Sequence, residues 1–345
     1  MKVILAGGGT GGHLYPGIAV AERLRNLGIP VLFMVSDRGL EQKVLSKLGY
    51  QYIEQKVSAF NGVGVIDKVI SLTRFGKAAV SAMKYIGRTD KILLLGGFAA
   101  APVALAGVMK EMDLYIHEQN SVMGSVNRMM GVHARRIFLS YSETNKSPAR
   151  GIVVGNPVRS DLMRGSVKEE NGRQILILGG SGGSRIINKT AVAAADKLLK
   201  AGYTIHHQTG EKLLEETLNE YEKNVDTDCK ELQIEAYITD MAQAYAAADL
   251  VIARAGSGAV FETMYAKRPA LYIPFARSSS DHQFYNALSV QKSGYAEILQ
   301  EKDLDTEKFI GKINEMFGKI NGYKESLFGV EPKDSAALII KGMGL

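Results

Sequence analysis

Two glycine-rich loops, each directly behind an apolar run, carry the first chemical signal in this 345-residue chain. Ala6-Gly-Gly-Gly-Thr-Gly-Gly-His13 follows Val3-Ile-Leu5, and Gly179-Gly-Ser-Gly-Gly-Ser184 follows Ile175-Leu-Ile-Leu178. Glycines in a strand-loop-helix unit let the backbone approach an anion, and the N–H groups and positive dipole end of the next helix hold it. A third small-residue turn, Arg254-Ala-Gly-Ser-Gly-Ala-Val-Phe-Glu262, offers a forked guanidinium for phosphate. Two helical turns later, Glu262 can accept a pair of sugar hydroxyls, or else pair with Arg254 itself. These residues point to an enzyme on a phosphorylated or nucleotide substrate, bound in a cleft between two similar halves.

Other motifs compete with that reading. Gly7, Gly9 and Gly12 satisfy G-x-G-x-x-G, and Asp37 stands where the acidic ribose ligand of a dinucleotide fold would be. His13 directly after the last glycine, Pro16 in the first helical turn and a second phosphate loop all depart from that pattern. Gly179, Ser181 and Gly183 also spell a hydrolase elbow, with Asp249 and His282 as available partners, yet this leaves the first loop without a role. His117-Glu-Gln-Asn120 follows a strand and turns polar groups toward the same edge. Its H-E-x-x-H is broken, which counts against zinc, and Asp226-Thr-Asp228 reads as a solvated loop rather than a metal-diphosphate site.

The elements that must position these residues are legible as an alternation of apolar strands and helices, which predicts parallel, doubly wound sheets. In the first half the strands are Lys2 to Ala6, Val31 to Val35, Ile92 to Leu95, Leu114 to His117 and Arg136 to Leu139, with helices at Gly17 to Leu27 and Gly39 to Leu48. The second half repeats the pattern with Gln174 to Leu178, Thr204 to Gln208, Leu232 to Ala236, Leu250 to Ala253 and Ala270 to Pro274. A short strand running into Pro157 and a polar segment marks the domain boundary. Both glycine loops then fall at carboxyl ends of strands, where open parallel sheets bind ligands.

Composition sets the outer bounds. With 46% hydrophobic residues the chain can build two cores, and its single cysteine, Cys229, excludes an internal disulfide or thiolate cluster. The first apolar run is too short for a signal-peptide core, and no stretch approaches the ~18 residues of a spanning helix, so a cytoplasmic protein is expected. Of the net charge of +6, much lies in residues 60–88, where Lys68, Arg74, Lys77, Lys84 and Arg88 face Asp67 alone. Ile66, Val69, Ile70, Leu72, Phe75, Val80, Met83 and Ile86 recur there at near-helical spacing. The segment reads as a helix on an anionic bilayer surface or as a core-packing helix with a solvated basic face. No basic stripe interleaved with aromatics speaks for nucleic acid.

In order and along nearly the whole chain, several motifs resemble the MurG family, the N-acetylglucosaminyltransferases that turn lipid I into lipid II in peptidoglycan synthesis. They are Gly8-Gly-Thr-Gly-Gly-His13 with Pro16-Gly17, His117-Glu-Gln-Asn120, Gly155-Asn-Pro-Val-Arg159, Gly179-Gly-Ser181 and His207-Gln-Thr-Gly210, followed by Tyr237-Ile-Thr-Asp-Met241, Arg254 to Glu262 and Asp281-His-Gln283 with Asn286-Ala287. The resemblance implies a GT-B fold of two Rossmann-like, doubly wound parallel-sheet domains separated by a cleft. Residues 1–157 would be the acceptor and membrane-facing domain, residues 158–327 the UDP-sugar domain, and about 328–345 a return helix to the first domain. It implies inverting transfer of N-acetylglucosamine from UDP-N-acetylglucosamine (UDP-GlcNAc) to the 4-hydroxyl of the muramoyl sugar in undecaprenyl-pyrophosphoryl-MurNAc-pentapeptide, without cofactor or catalytic metal. Residues 66–88 would meet the anionic cytoplasmic face of the bacterial cell membrane, making the protein peripheral, with no nucleic-acid partner.

The same resemblance distributes roles. Ile238 reads uracil through its backbone, Glu262 holds ribose, and Ser181, Arg254 and the helix start Ser257, Gly258, Ala259, Val260 and Phe261 meet the diphosphate. Arg159, His282 and Gln283 close around nucleotide and sugar, while Thr10, Gly11, Gly12 and Asn120 approach from the first domain. The catalytic set is His13, Glu118 and Asn120, with His13 as general base, a neutral imidazole of reference pKa about 6.5. His13 binding acceptor phosphate or orienting Thr10 is the alternative. Gly97-Phe98-Ala99-Ala100-Ala101-Pro102 has phenylalanine and alanines where the family commonly has tyrosine and further glycines, and Gly182 stands where it has glutamine. A transferase for another lipid acceptor, a UDP-sugar epimerase and a non-catalytic nucleotide-sugar sensor are the competing functions.

Overall fold

The computed structural model describes residues 1–9, 11–37, 39–55, 57, 65–148, 150–168, 172–180, 182–276 and 278–345. The chain divides into two compact units, Met1–Val158 with Lys333–Leu345, and Arg159–Pro332.

In the first unit β1 (Val3–Gly7), β2 (Val31–Ser36), β3 (Gln51–Gln55), β4 (Lys91–Gly96), β5 (Leu114–Glu118), β6 (Arg136–Leu139) and β7 (Gly151–Val153) form a seven-stranded sheet in the order β3-β2-β1-β4-β5-β6-β7. Its pairings are parallel. Strands this apolar must be covered on both faces, because successive side chains point to opposite sides. Val3 and Leu5 of β1 enter one core with Leu14, Ile18 and Leu24 of the helix Gly11–Asn26 and with Ile339 and Ile340 of the helix Ser335–Gly342. Ile4 and Ala6 enter the other, beneath Val103 and Ala104 of the helix Ala100–Met109. The last helix is further tied by an ion pair from Arg23 to its cap residue Asp334, whose side chain accepts from the Ala337 N–H.

The second unit repeats the plan. Here β8 (Gln174–Leu178), β9 (Thr204–Gln208), β10 (Leu232–Glu235), β11 (Leu250–Ala253), β12 (Ala270–Tyr272) and β13 (Ala296–Ile298) form a six-stranded sheet, β10-β9-β8-β11-β12-β13. It too is parallel. Ile175, Ile177, Ile205 and Ile252 meet Ala191, Ala194 and Leu198 of the helix Arg185–Lys200 and Phe309 and Ile313 of the helix Thr306–Gly318. In each sheet the strand order reverses beside the strand that feeds a glycine loop, the switch point where doubly wound sheets bind ligands.

Three local features differ from the sequence-based reading. The strands β3 and β13 were not anticipated; β3 is a polar edge strand and β13 has three residues, so neither carries the apolar run that betrays a central strand. The first helix begins at Gly11 instead of Gly17, which puts Pro16 inside it. There the ring deletes the bond to the Gly12 carbonyl, and burial of Leu14, Pro16 and Gly17 against the sheet outweighs that local penalty.

A buried histidine lies on a strand of each unit. His117 on β5 and His207 on β9 have no exposed surface. Burial pushes their pKa values down, to about 4 and about 3. Unfolded, each takes a proton near pH 6.5, so their contribution to stability is complete above that pH and is lost as pH falls toward the folded values. We therefore expect the urea midpoint to be flat above pH 7 and to decline below about 6.5, at up to roughly 1.4 kcal/mol per pH unit for each histidine. A midpoint independent of pH between 7 and 4.5 contradicts this. Separately, Ile339→Ala removes a fully buried side chain from the first core. It should lower unfolding free energy by about 2–5 kcal/mol in the same assay.

Candidate active site

In the first unit the polar site sits at the carboxyl ends of β1, β4 and β5. Gly11 and Gly12 open the helix Gly11–Asn26 and so belong to its N-terminal turn, while His13, half-buried, follows them. The imidazole lies against the loop after β4: a Cβ on Gly96 would touch Cε1 and Nδ1, and one on Gly97 would touch Cδ2 and collide with the Gly8 carbonyl oxygen. Gly97 also has φ +77°, so this loop needs glycine on both counts. His13 Nδ1 is 3.2 Å from Gln119 Oε1.

Glu118 and Asn120 have distinct places. The buried Glu118 carboxylate accepts from the Asn120 N–H at 3.0 Å and Asn120 Nδ2 at 3.3 Å through Oε1, and from the Gly124 N–H at 3.0 Å and Asn127 Nδ2 at 2.9 Å through Oε2. It shapes the turn that carries Asn120. The acid that reaches the first glycine loop is neither this one nor Asp37, which is exposed, but Glu41. Its Oε1 accepts from the Gly9 N–H and, at 3.0 Å, from Ser36 Oγ. A donor that a phosphate would have used is thus already held by a buried carboxylate.

In the second unit the loop after β8 packs backbone to backbone on the loop after β9: a Cβ on Gly183, φ +75°, would fall on the Thr209 carbonyl oxygen. Ser184 caps the helix Arg185–Lys200 and accepts from Arg254 Nη2 at 2.8 Å. Arg254 also donates to the Ile273 carbonyl at 3.0 Å and pairs with Glu301 at 2.6 Å. The guanidinium fork joins three loops through Ser184, Ile273 and Glu301. Ile238 donates its N–H to Gln208 Oε1 at 2.9 Å, and Gln208 Nε2 lies 3.5 Å from the Gly180 carbonyl, linking the expected base reader to the glycine loop.

The helix Ser257–Tyr265 starts at Gly256, and its first N–H groups have no carbonyl one turn back. A Cβ at Gly256 or Gly258 would meet nothing, so backbone is accessible around the positive end of the dipole, with Ala259 in the same turn. Val260 and Phe261 bury their side chains, and the Val260 N–H already donates to Gly256. Glu262 accepts from Tyr245 Oη at 3.2 Å; burial raises its pKa while the nearby Arg159 guanidinium pulls it down. Arg159 lies 3.4 Å from Asp161. His282 opens the helix His282–Gln291, and Gln283 Oε1 accepts from the Phe275 N–H at 2.9 Å.

Thr10 and Ser181 lie outside the described residues, and with Ser181 the nucleophile of the hydrolase reading. Its proposed acid is nevertheless misplaced: Asp249 is buried at the opposite, amino edge of the sheet, accepting from the Gly172 and Gln174 N–H groups and Lys168. Asp226 and Asp228 are on an exposed turn. Glu41, Gln119, Gln208 and Glu301 received no role from the sequence. Gln119 and Gln208 were inside quoted motifs, which was the available signal; Glu41 and Glu301 had none.

The basic segment is a helix, Val65–Met83, continuing in a turn. The side chains of residues 65–72 are outside the described set; beyond them Ala79, Ala82 and Ile86 are in the core, while Arg74, Lys77, Val80, Lys84 and Arg88 are exposed. Among the described residues no helix is long and apolar enough to cross a membrane.

Comparison with known proteins agrees with this architecture. Residues 3–139 match the glycosyltransferase family 28 N-terminal domain and residues 174–331 the family 28 C-terminal domain. A UDP-N-acetylglucosamine–N-acetylmuramyl-(pentapeptide) pyrophosphoryl-undecaprenol N-acetylglucosamine transferase of Syntrophus aciditrophicus is 37% identical over 328 residues, covering 92% of this chain and 90% of the relative. That of Geobacter metallireducens is 33% identical, covering 99% and 98%. The crystal structure of Acinetobacter baumannii MurG aligns over 100% of both chains with a TM-score of 0.79 and 26% identity. The spinosyn rhamnosyltransferase SpnG, at 15% identity and a TM-score of 0.65, shares the fold. With two Rossmann-like parallel-sheet domains of the GT-B class, both family 28 matches and near full-length relatives, this chain belongs to the MurG family of glycosyltransferases.

Proposed function

We propose that the chain transfers N-acetylglucosamine from UDP-GlcNAc to the 4-hydroxyl of the muramoyl sugar in undecaprenyl-pyrophosphoryl-MurNAc-pentapeptide, with inversion. The observation that supports it most is the accessible N-terminal turn of the helix Ser257–Tyr265, with Glu262 on the same helix. A helix N-terminus suits a diphosphate and a carboxylate suits a ribose diol. His13 Nε2 takes the proton of the acceptor hydroxyl as its oxygen bonds to the anomeric carbon. The bond from that carbon to the β-phosphate oxygen breaks, and its electron pair leaves on UDP. Backbone N–H groups of the second unit receive that developing charge.

In this reading Asn120 meets the substrates and Glu118 acts through it, as a positioning residue. Arg254 likewise stiffens the loops around Ser184 instead of touching phosphate. Arg74, Lys77, Lys84 and Arg88 form the patch for anionic headgroups at the cytoplasmic face of the cell membrane, where a lipid-linked acceptor would be met.

Radiolabelled N-acetylglucosamine should pass from its UDP donor to a lipid I analogue with EDTA present. His13→Ala should cut kcat by about 10²- to 10⁴-fold with UDP affinity unchanged; lost affinity with retained turnover would contradict its role. Because ionised Glu262 is the acceptor for ribose and its pKa is raised, calorimetric UDP affinity should weaken on acidification at a pH above the ordinary carboxylate range. Glu262→Gln should weaken binding and abolish that pH dependence.

A further inference from the structure

A chain of hydrogen bonds runs from His13 through Gln119 to His117. Gln119 Nε2 lies 3.2 Å from the His117 carbonyl oxygen and 3.3 Å from His117 Nδ1. A carbonyl oxygen can only accept, so the Gln119 atom facing it is the amide nitrogen, and the amide oxygen faces His13 Nδ1 at 3.2 Å. The His117 end agrees independently. His117 Nε2 lies 3.2 Å from the Gly155 carbonyl oxygen, so Nε2 carries the proton and Nδ1 keeps the lone pair that accepts from Gln119. Ser140 Oγ, 3.2 Å from the same Nε2, can accept or turn its proton away.

We propose that Gln119, oriented by His117, is a positioning residue that holds His13 in the Nδ1–H tautomer and thereby presents Nε2 as its basic atom. This rests on the reading of His13 as general base. The network must have a neutral His117, and full burial, which drives that imidazole down to about 4, supplies it. The Nδ1–H form is the less populated tautomer of a free histidine side chain in water, so without the amide oxygen most His13 would carry its lone pair on Nδ1, against Gly96 and Gln119. A proton can then leave the acceptor hydroxyl for Nε2 without any other proton moving, and the imidazolium formed keeps donating from Nδ1 to the same oxygen.

The test is nitrogen-detected proton NMR on the full chain with 15N-labelled histidine, His13 being assigned by its absence from His13→Ala. At pH 8 the wild type should show Nδ1 protonated and Nε2 bare. Gln119→Leu, of similar length but without polar atoms, should return His13 to a mixture dominated by Nε2–H. It should also lower kcat by at least about tenfold with the UDP-GlcNAc KM unchanged, the loss expected of a misdirected general base. An Nε2–H His13 in the wild type overturns the proposal without any variant. So does a Gln119→Leu protein with both tautomer and kcat intact. If His13→Ala retains kcat, the base reading fails, while the tautomer result still decides whether Gln119 sets the proton.

Discussion

The first unit's site hangs on one buried carboxylate. Taking Glu118 out of water costs several kcal/mol unless its lone pairs are met, and they are met only if the chain from Asn120 to Asn127 turns back upon it. That turn places Asn120 at the sheet edge and sends Asn127 Nδ2 to the His117 carbonyl at 3.3 Å. Asn127 then lies close over Gly96, where a Cβ would be tight, and the bare backbone at Gly96 and Gly97 leaves room for the His13 ring. The place of the His13 ring therefore depends on a carboxylate one strand away that does not touch it.

The second unit solves the same problem with different polarity. Its loops are drawn together by a part-buried cation: Arg254 spans Ser184, the Ile273 carbonyl and Glu301, whose other oxygen accepts from the Ala276 N–H at 3.0 Å. Removing either partner would strand a part-buried charge, so the contact ties the three loops together. Buried atoms without a hydrogen-bond partner among the described residues, Glu41 Oε2, Asn127 Oδ1 and Arg159 Nε, lie beside these same loops. Unmet polar groups are costly, and their place at the candidate sites fits local stability yielding to function.

Much of this was readable from the chain. The apolar runs behind each glycine loop fixed β1 and β8, and the alternation around them gave both parallel sheets, because a strand covered on both faces has to be apolar throughout. The polar edge strand β3 and the short β13 were invisible for the converse reason. Pro16 misplaced a helix start, since packing of Leu14 and Gly17 overrode a local rule. The small-residue turn that opens the helix Ser257–Tyr265 was legible because glycines and alanines behind an apolar strand mark a helix start.

Side-chain partnerships were not legible. Arg254 pairs with Glu301, which no motif indicated; Glu41, in no motif, accepts from the Gly9 N–H; and Gln119, inside a quoted motif, was given no role. The sequence alone determined the two Rossmann halves, their glycine loops and the family, because those depend on periodicity and on backbone freedom, which are local properties. Only the tertiary structure decided which acid meets which donor and which neighbour faces His13 Nδ1, because each choice is made by groups from separate strands that meet once the sheets have formed.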